Sequence, residues 1–262
     1  MLEITSAQLD AWLTAFLWPF VRILAFIATA PIFGETAIPR TAKVGLAFAL
    51  TVVVAPVLPP MPDIPPASWA GIMVIIQQFI IGVALGLVMR LVFAAIQAAG
   101  DYIALQMGLS FASFYSPEAQ GTTTVLSRFL NMIAILMFMA LNGHTIMIRL
   151  LIETFTRLPI GQTALEPAGF DAIARWGSFI FSAGFLMSLP VLTALLIINI
   201  SMGILNRASP QFSIFSVGFP ITLTTGVILL TFMTPELGTI FQRMFESALN
   251  QMVSVTELLS SS

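Results

Sequence analysis

The chain has 262 residues and a net charge of −2; 58% of its residues are hydrophobic and only 8% are charged. A soluble domain carries about 25% charged residues, so this composition, with a mean hydropathy of +1.00, excludes a soluble protein and predicts an integral membrane protein. The chain has no cysteine, and His144 lacks partners for a metal site, so we expect no cofactor; the slight negative charge gives nucleic acid no reason to bind.

Six apolar stretches follow one another along the chain, most of them close to the roughly 20 residues needed to cross a membrane. We therefore expect an all-α integral-membrane protein of about six hydrophobic, partly broken helices. Residues 1–262 should form a single domain, because no hydrophilic block is long enough to fold separately. Prolines mark the joints between the stretches, and prolines inside them predict kinks. The predicted segments are residues 11–33, 44–58, 71–89, 125–148, 177–205 and 212–233.

The C-terminal region carries a different pattern. After a joint at Pro235, apolar residues from Leu237 to Leu259 recur at helical spacing between polar ones. This pattern predicts an amphipathic helix over residues 236–259 that lies on a surface rather than spanning the membrane.

Arg22 is the only charge in the middle of a predicted span. An unpaired cation is expensive at that depth, so we expect Arg22 to have an acidic or carbonyl partner. Glu35, Asp101 and Glu118 are candidate acids in this chain, and another subunit is a further possible source. The sequence leaves two roles open for Arg22, a structural one and a place in the lining of a conduit.

Gly82 and Gly86 stand four residues apart in the third predicted segment. A face with two small residues at this spacing lets the backbone of another helix approach closely. The pair therefore predicts helix packing, against a helix of this chain or of another one.

Residues 100–124 are too polar and broken to cross a bilayer comfortably, yet too rich in Phe, Tyr, Leu and Met for an ordinary solvated loop. Such backbone is stable at membrane depth only when it is buried in protein or lines a wet cavity. One interpretation is a connecting loop with a short interfacial helix. The other is a re-entrant element that obstructs a pore, because an apolar constriction stops water and ions by dewetting. Gly108 and Gly121 would then form flexible ends, and the obstructing side chains would be Met107, Phe111, Phe114, Tyr115 and Pro117.

The sequence around Ser110 invites comparison with intramembrane serine proteases, whose nucleophile lies in a Gly-x-Ser-Gly turn and pairs with a histidine. Phe111 stands in place of the second glycine, and His144 is the only candidate base. His144 follows Asn142-Gly143 at the end of an apolar run, which predicts a structural role beside the last carbonyls of a helix. We therefore do not expect an enzyme.

Several motifs resemble the FliR family of flagellar export-gate proteins, and they occur in the family's order from the N-terminus to about Pro235. The longest spans residues 203–220 and includes Asn206, Arg207, Pro210, Gln211, Phe215, Gly218 and Pro220. Shorter matches are Trp18-Pro19-Phe20-Val21-Arg22, Ala30-Pro31-Ile32-Phe33, Ile38-Pro39-Arg40, Gln77-Gln78-Phe79-Ile80-Ile81-Gly82, Leu105-Gln106-Met107-Gly108-Leu109-Ser110-Phe111, Asn142-Gly143-His144 and Leu158-Pro159-Ile160-Gly161.

The resemblance implies a structural, pore-forming role. Members of the family assemble with FliP and FliQ into the export gate of the type III secretion apparatus, through which unfolded flagellar proteins leave the cytoplasm. The expected partners are thus FliP-like and FliQ-like membrane subunits, FlhB and FlhA, the unfolded substrates and membrane lipid. The expected location is the flagellar basal body in the bacterial inner membrane. In the family a loop plugs the closed channel, and the motifs place that loop on residues 106–122.

Two alternative functions stay open at this point. The related subunit of virulence-associated injectisomes has the same fold and resembles this chain less closely. A stand-alone membrane transporter or channel is the second alternative. The sequence has no internal repeat of useful strength, which weakens the case for a transporter, and Arg22 as the only mid-span charge argues against ion coupling.

Overall fold

A computed structural model describes residues 6–109, 124–161, 165–208 and 217–260, with side chains from Trp12 onward. Within these ranges the chain forms helices and no strands, which confirms the all-α class. The helices are α1 (Ser6–Thr29), α2 (Arg40–Val54), α3 (Trp69–Gln106), α4 (Val125–Ala140), α5 (Gly143–Arg157), α6 (Pro167–Trp176), α7 (Phe179–Ala208) and α8 (Phe219–Ser260); a short 3₁₀ turn, Ala55–Val57, follows α2.

Five helical stretches within the described ranges are long and apolar enough to cross a membrane, and a sixth is obtained when α4 and α5 count as one broken span. The expected integral-membrane protein of about six hydrophobic helices is thereby confirmed. α3 has the highest hydropathy and is the most deeply buried within the chain, whereas α2 and α7 leave most of their length exposed.

α3 continues well beyond the segment predicted for it. The prediction that the helix ends near residue 89 is wrong, because α3 extends to Gln106. Residues 100–106, the beginning of the stretch interpreted as irregular, are therefore helical. The apolar run is interrupted by Arg90, but Arg90 is exposed on α3 and the helix continues through it. Further along, Asp101 is accommodated by hydrogen bonds to a neighbouring helix.

The segment predicted over residues 125–148 consists of two helices. α4 ends at Ala140, α5 begins at Gly143, and Asn142 between them has a φ of 55° in the left-handed region. Asparagine adopts this conformation more readily than most residues, so the break falls at the Asn-Gly pair expected to mark a helix terminus. The predicted place of His144 is wrong, since it lies in the first turn of α5 rather than beside the last carbonyls of α4.

The predicted joint at Pro235 is also wrong, because Pro235 lies inside α8, a single helix that contains both the last predicted span and the C-terminal helix. Proline removes one backbone hydrogen bond, but membrane helices tolerate that loss. The apolar stripe of the C-terminal half is buried as expected from its spacing, and only Ile240 is half-buried. The buried positions are Leu237, Phe241, Met244, Phe245, Ala248, Met252, Val255 and Leu259.

The chain forms two compact units. The first comprises Met1–Leu91, Asn142–Gly177 and Glu246–Ser262. Large apolar side chains of α1, α3 and α5 fill its core, among them the fully buried Trp18 and Phe26. The single domain expected from the composition stays a prediction.

The second unit comprises Val92–Leu141 and Ser178–Phe245. Phe93, Phe138 and Phe245 form an aromatic cluster within it, with ring centroids 5.0–5.6 Å apart. The end of α3 packs against α7 in a second apolar cluster of buried residues, Ile103, Met107, Val191 and Leu195.

Candidate functional site

Arg22, on α1, is completely buried in the first unit. Its Nε donates a hydrogen bond of 2.7 Å to Oε1 of Gln78 on α3. Its Nη1 donates to Oγ1 of Thr154 on α5 at 3.0 Å, and its Nη2 donates to the backbone oxygen of Leu158 at 2.9 Å. One side chain therefore joins α1 to α3 and to the C-terminal end of α5.

Helix and side-chain dipoles, together with an aromatic ring, surround this charge. Leu158 directly follows the last residue of α5, where the helix dipole has its negative end and backbone carbonyls lack helical partners. The guanidinium carbon lies 4.2 Å from the ring centroid of Phe155, within the range of a cation–π interaction. A carbonyl partner, one of the two kinds expected from the sequence, thus serves Arg22.

The acids considered as partners of Arg22 are placed elsewhere or lie outside the description. Glu35 is exposed in the connection after α1. Asp101 accepts hydrogen bonds from hydroxyl groups in the second unit. Glu118 falls outside the described residues.

Gly82 and Gly86 lie on the face of α3 that packs against α1. A Cβ added at Gly82 would come within 2.8 Å of the Cβ of Ala25 and 3.0 Å of the backbone nitrogen of Phe26. A Cβ added at Gly86 would come within 2.8 Å of the backbone nitrogen of Ala30. The two glycines therefore permit a close approach of helix backbones, and the contacting helix belongs to this chain.

A second polar cluster joins the end of α3 to the start of α4. Thr124 caps α4, because its Oγ1 accepts a hydrogen bond of 3.2 Å from the backbone N–H of Ser127. The hydroxyl of Thr124 donates to Oδ1 of Asp101 at 3.0 Å, and the hydroxyl of Ser127 donates to the same oxygen. The backbones also come close here, because a Cβ at Gly100 would lie 2.6 Å from the Cα of Ser127.

Met107, one of the side chains predicted to obstruct the pore, is buried beside α7 and α8. Its backbone oxygen accepts a hydrogen bond of 3.2 Å from Oγ1 of Thr222. Its side chain covers Gly226 so closely that an added Cβ there would lie 2.6 Å from the Cγ of Met107. Gly108 follows with a φ of 84°, a conformation that glycine adopts without steric cost. The chain therefore turns directly after an anchored residue.

The remaining sequence-predicted residues are divided between described and undescribed parts of the chain. Asn206 and Arg207 lie in the last turn of α7, half-buried and exposed respectively. Gly218 is buried immediately before α8, and Pro220 is exposed in its first turn. The residues outside the description are Phe111, Phe114, Tyr115, Pro117 and Gly121 of the predicted plug, and Pro210, Gln211 and Phe215 of the family motif.

Sequence reasoning missed three of the side chains that build these clusters. Gln78 and Thr154 are partners of Arg22, and their signal was a polar side chain within an apolar helix. Ser127 stands three residues after Thr124, and a threonine before an apolar run is the usual signal of a helix N-cap. Asp101 entered the prediction only as a possible partner of Arg22.

Fold and polar clusters define an α-helical membrane protein that spans the bilayer several times and joins its helices through buried polar side chains. Residues 13–248 match the bacterial export proteins, family 1. The chain is 46% identical to the flagellar biosynthetic protein FliR of Pectobacterium carotovorum subsp. carotovorum, over 100% of both chains. It is 42% identical to that of Escherichia coli K12 over 97% of both chains, and 27% identical to that of Bacillus subtilis 168 over 94% of this chain and 95% of the relative.

The chain therefore belongs to family 1 of the bacterial export proteins, and within it to the flagellar biosynthetic FliR proteins. It is a membrane-embedded component of the flagellar export apparatus. The family is one of structural export proteins rather than of enzymes.

Proposed function

We propose that this protein is a pore-forming subunit of the flagellar type III export gate in the bacterial inner membrane. In this proposal it assembles with FliP-like and FliQ-like membrane subunits, next to FlhB and FlhA, around the passage taken by unfolded flagellar proteins. Residues 106–122 plug the closed passage. The relatives described above are named as flagellar proteins, which favours the flagellar system over an injectisome.

The observation that carries the proposal is that both ends of the proposed plug are fixed to helices. Met107 lies at its N-terminal end and is held by Thr222 and Gly226 of α8. Thr124 follows it, caps α4 and bonds to Asp101 of α3. A segment that contains three aromatic residues among small and polar ones, and that is held at two fixed points, can fill a lumen and return to it after displacement.

The burial of Met107 gives this residue a different role from that of the other plug residues. Met107 is occupied by packing within the chain and therefore serves as the anchor of the plug rather than as an obstruction. Gly108 is in a left-handed conformation and turns the backbone directly after Met107. Gly121, outside the described residues, keeps its proposed role as the other flexible end. The obstruction is left to the bulky residues between them, namely Phe111, Phe114, Tyr115 and Pro117. An arriving substrate segment, driven by other components, displaces these side chains, and no bond is made or broken.

The test is the ion conductance of the assembled complex after removal of residues 111–120. We expect the deletion to admit small ions, because no apolar constriction is left to exclude water. A second variant, in which Phe111, Phe114 and Tyr115 are replaced by alanine, should leak less than the deletion and more than the wild type. Conductance is measured in planar bilayers on complexes whose subunit content has been verified.

The matched control for the alanine variant replaces two exposed aromatic residues elsewhere, Phe170 and Phe232, and should leave the conductance at the wild-type level. A fully assembled deletion complex that stays closed to ions would refute the plug assignment.

A further inference from the structure

Within the first unit, α1 and α3 run side by side in the same direction. Nε of Arg22 on α1 bonds to Gln78 on α3, which lies 56 residues further along the chain. One helical turn later, a Cβ added at Gly82 would lie 3.0 Å from the backbone nitrogen of Phe26. The second contact lies four residues after the first in both helices, so the two helices are parallel and keep the same offset.

Each of these helices carries an exposed tryptophan at the same level. The offset, followed back along both helices, places Trp12 within one residue, or about 1.5 Å, of the level of Trp69. Trp12 is 65% exposed and Trp69 is 73% exposed. Tryptophan is enriched where lipid headgroups meet hydrocarbon, because its ring is largely apolar and its N–H is polar.

The surface of α3 is apolar between Trp69 and Arg90. Twenty-one residues separate the two, so the stretch is about 30 Å long, the thickness of the hydrocarbon core of a bilayer. Gln77, which is half-buried, is the one polar side chain on the surface of this described stretch. The fully exposed side chains are Ala70, Ile72, Met73, Ile76 and Phe79.

We propose that Trp12 and Trp69 bind the headgroup boundary on one face of the bilayer, and that Arg90 lies at the opposite boundary. Arg90 is exposed, and a long basic side chain can reach the headgroups from the end of an apolar stretch. The neighbour of this surface is thus lipid rather than protein. A contact with protein would require neither an apolar length equal to the hydrocarbon thickness nor two indoles at one level. The two boundaries set the depth of α1 and α3 in the membrane, whether or not the chain plugs a passage.

The test uses the tryptophan fluorescence of the assembled complex in vesicles whose lipids carry bromine either near the headgroup or near the end of the acyl chain. Bromine quenches an indole at close contact. The difference in emission between the wild type and the double variant, Trp12→Phe with Trp69→Phe, reports on these two residues even when other subunits contain tryptophan. We expect the shallow bromines to quench this difference signal strongly and the deep bromines to quench it weakly.

Two further variants supply the calibration and the matched control. Ile76→Trp, made in the double variant, places an indole on the same apolar surface about 10 Å deeper than Trp69. Deep bromines should quench this indole more strongly than shallow ones. Trp18→Phe, made in the wild type, removes an indole that is fully buried, and it should leave the quenching by lipid unchanged.

Equal quenching of the difference signal by both lipids, or quenching by neither, would overturn the proposal. Indoles that are quenched in vesicles of this chain alone but not in the assembled complex would be covered by another subunit, and the surface would then be a protein contact. If the double variant does not assemble, the Trp12→Phe and Trp69→Phe single variants decide the question, because each must lose part of the quenching by shallow bromines.

Discussion

Arg22 shows how a membrane protein can bury a full charge among acceptors that carry no formal charge of their own, as far as the described residues go. Its three hydrogen bonds end on an amide oxygen, a hydroxyl and a backbone carbonyl, and the ring of Phe155 covers one face. The planar guanidinium suits this arrangement because its donors point in fixed, divergent directions. A lysine ammonium could not reach all three acceptors from one position. The residue therefore acts as a connector of three helical elements.

Replacement of Arg22 by methionine should destabilise the protein, because it leaves the acceptor of Gln78 and the carbonyl of Leu158 buried without donors. Each such group costs about 1–3 kcal/mol. A double variant, Arg22→Met with Gln78→Met, should recover part of the loss, since removal of both partners is less costly than removal of one. Thermal unfolding of the detergent-solubilised protein, followed by size-exclusion chromatography, measures the effect.

Arg90 supplies the control for Arg22, because it is an exposed arginine on α3 and Arg90→Met should leave the unfolding temperature almost unchanged. Equal stability of the Arg22→Met and Arg90→Met proteins would contradict the connector role.

The need of Arg22 for a partner could be predicted from the sequence, but the partners themselves could not. Gln78, Thr154 and Leu158 lie 56, 132 and 136 residues away along the chain. Local patterns carry no information about contacts at that separation. A carboxylate was the obvious candidate because opposite charges attract. The helix end that serves instead becomes recognisable only when α5 is seen to end at Arg157, directly before Leu158.

At the scale of elements, α1 and α3 come into close backbone contact at Gly82, within the first unit. Gly82→Ala should destabilise the protein by about 1–3 kcal/mol, the usual cost of overpacking, because the added Cβ meets backbone atoms that cannot rotate away. The matched control is Gly45→Ala on α2, where an added Cβ has no neighbour within 4 Å. That change should stabilise the protein by about 0.8–1.0 kcal/mol, the difference in helix propensity between glycine and alanine.

The two substitutions are expected to change the stability of the protein in opposite directions. The comparison is informative because both add the same methyl group to a helical glycine. Thermal unfolding in one detergent, with the two variants measured side by side, is sufficient. A stabilising effect at both positions would mean that α1 and α3 are not in backbone contact at Gly82.

The existence of the helices followed from hydropathy, but their ends did not. α3 is longer than its predicted apolar segment because hydropathy treats Arg90 as a stop signal, although the helix continues through it. Further along, the hydroxyls of α4 satisfy Asp101, so this charge does not end the helix either. The joint predicted at Pro235 is also wrong, because α8 continues through this residue. Both errors have one physical origin. In contact with lipid, a polar side chain or a proline tends to end a helix, because the polar group or the carbonyl freed by the proline finds no hydrogen-bond partner. Inside a protein, neighbouring helices can supply that partner, and the helix continues.

At the scale of the whole molecule, the most consequential feature is the apolar surface that the chain leaves uncovered. Seven bulky apolar side chains of α7 are more than half exposed: Phe181, Phe185, Leu186, Leu196, Ile197, Ile200 and Ile204. α2 is even less covered by the rest of the chain. Contiguous apolar surface of this kind marks a contact with lipid or with another protein. The composition predicted such a surface, but composition does not distinguish between these two neighbours.

The proposed gate predicts that part of this surface is covered by other export subunits. A photoactivatable phenylalanine analogue placed at Ile197, which is 61% exposed, should then crosslink to a second membrane protein in cells that contain the complete export apparatus. The same variant in cells that lack the other export subunits should give no protein adduct, because only lipid is within reach. The substitution itself is tolerable since the site is open and apolar. If complete cells also yield only lipid adducts from Ile197, and again from Phe48 on α2, these helices face the bilayer and the chain does not assemble through them.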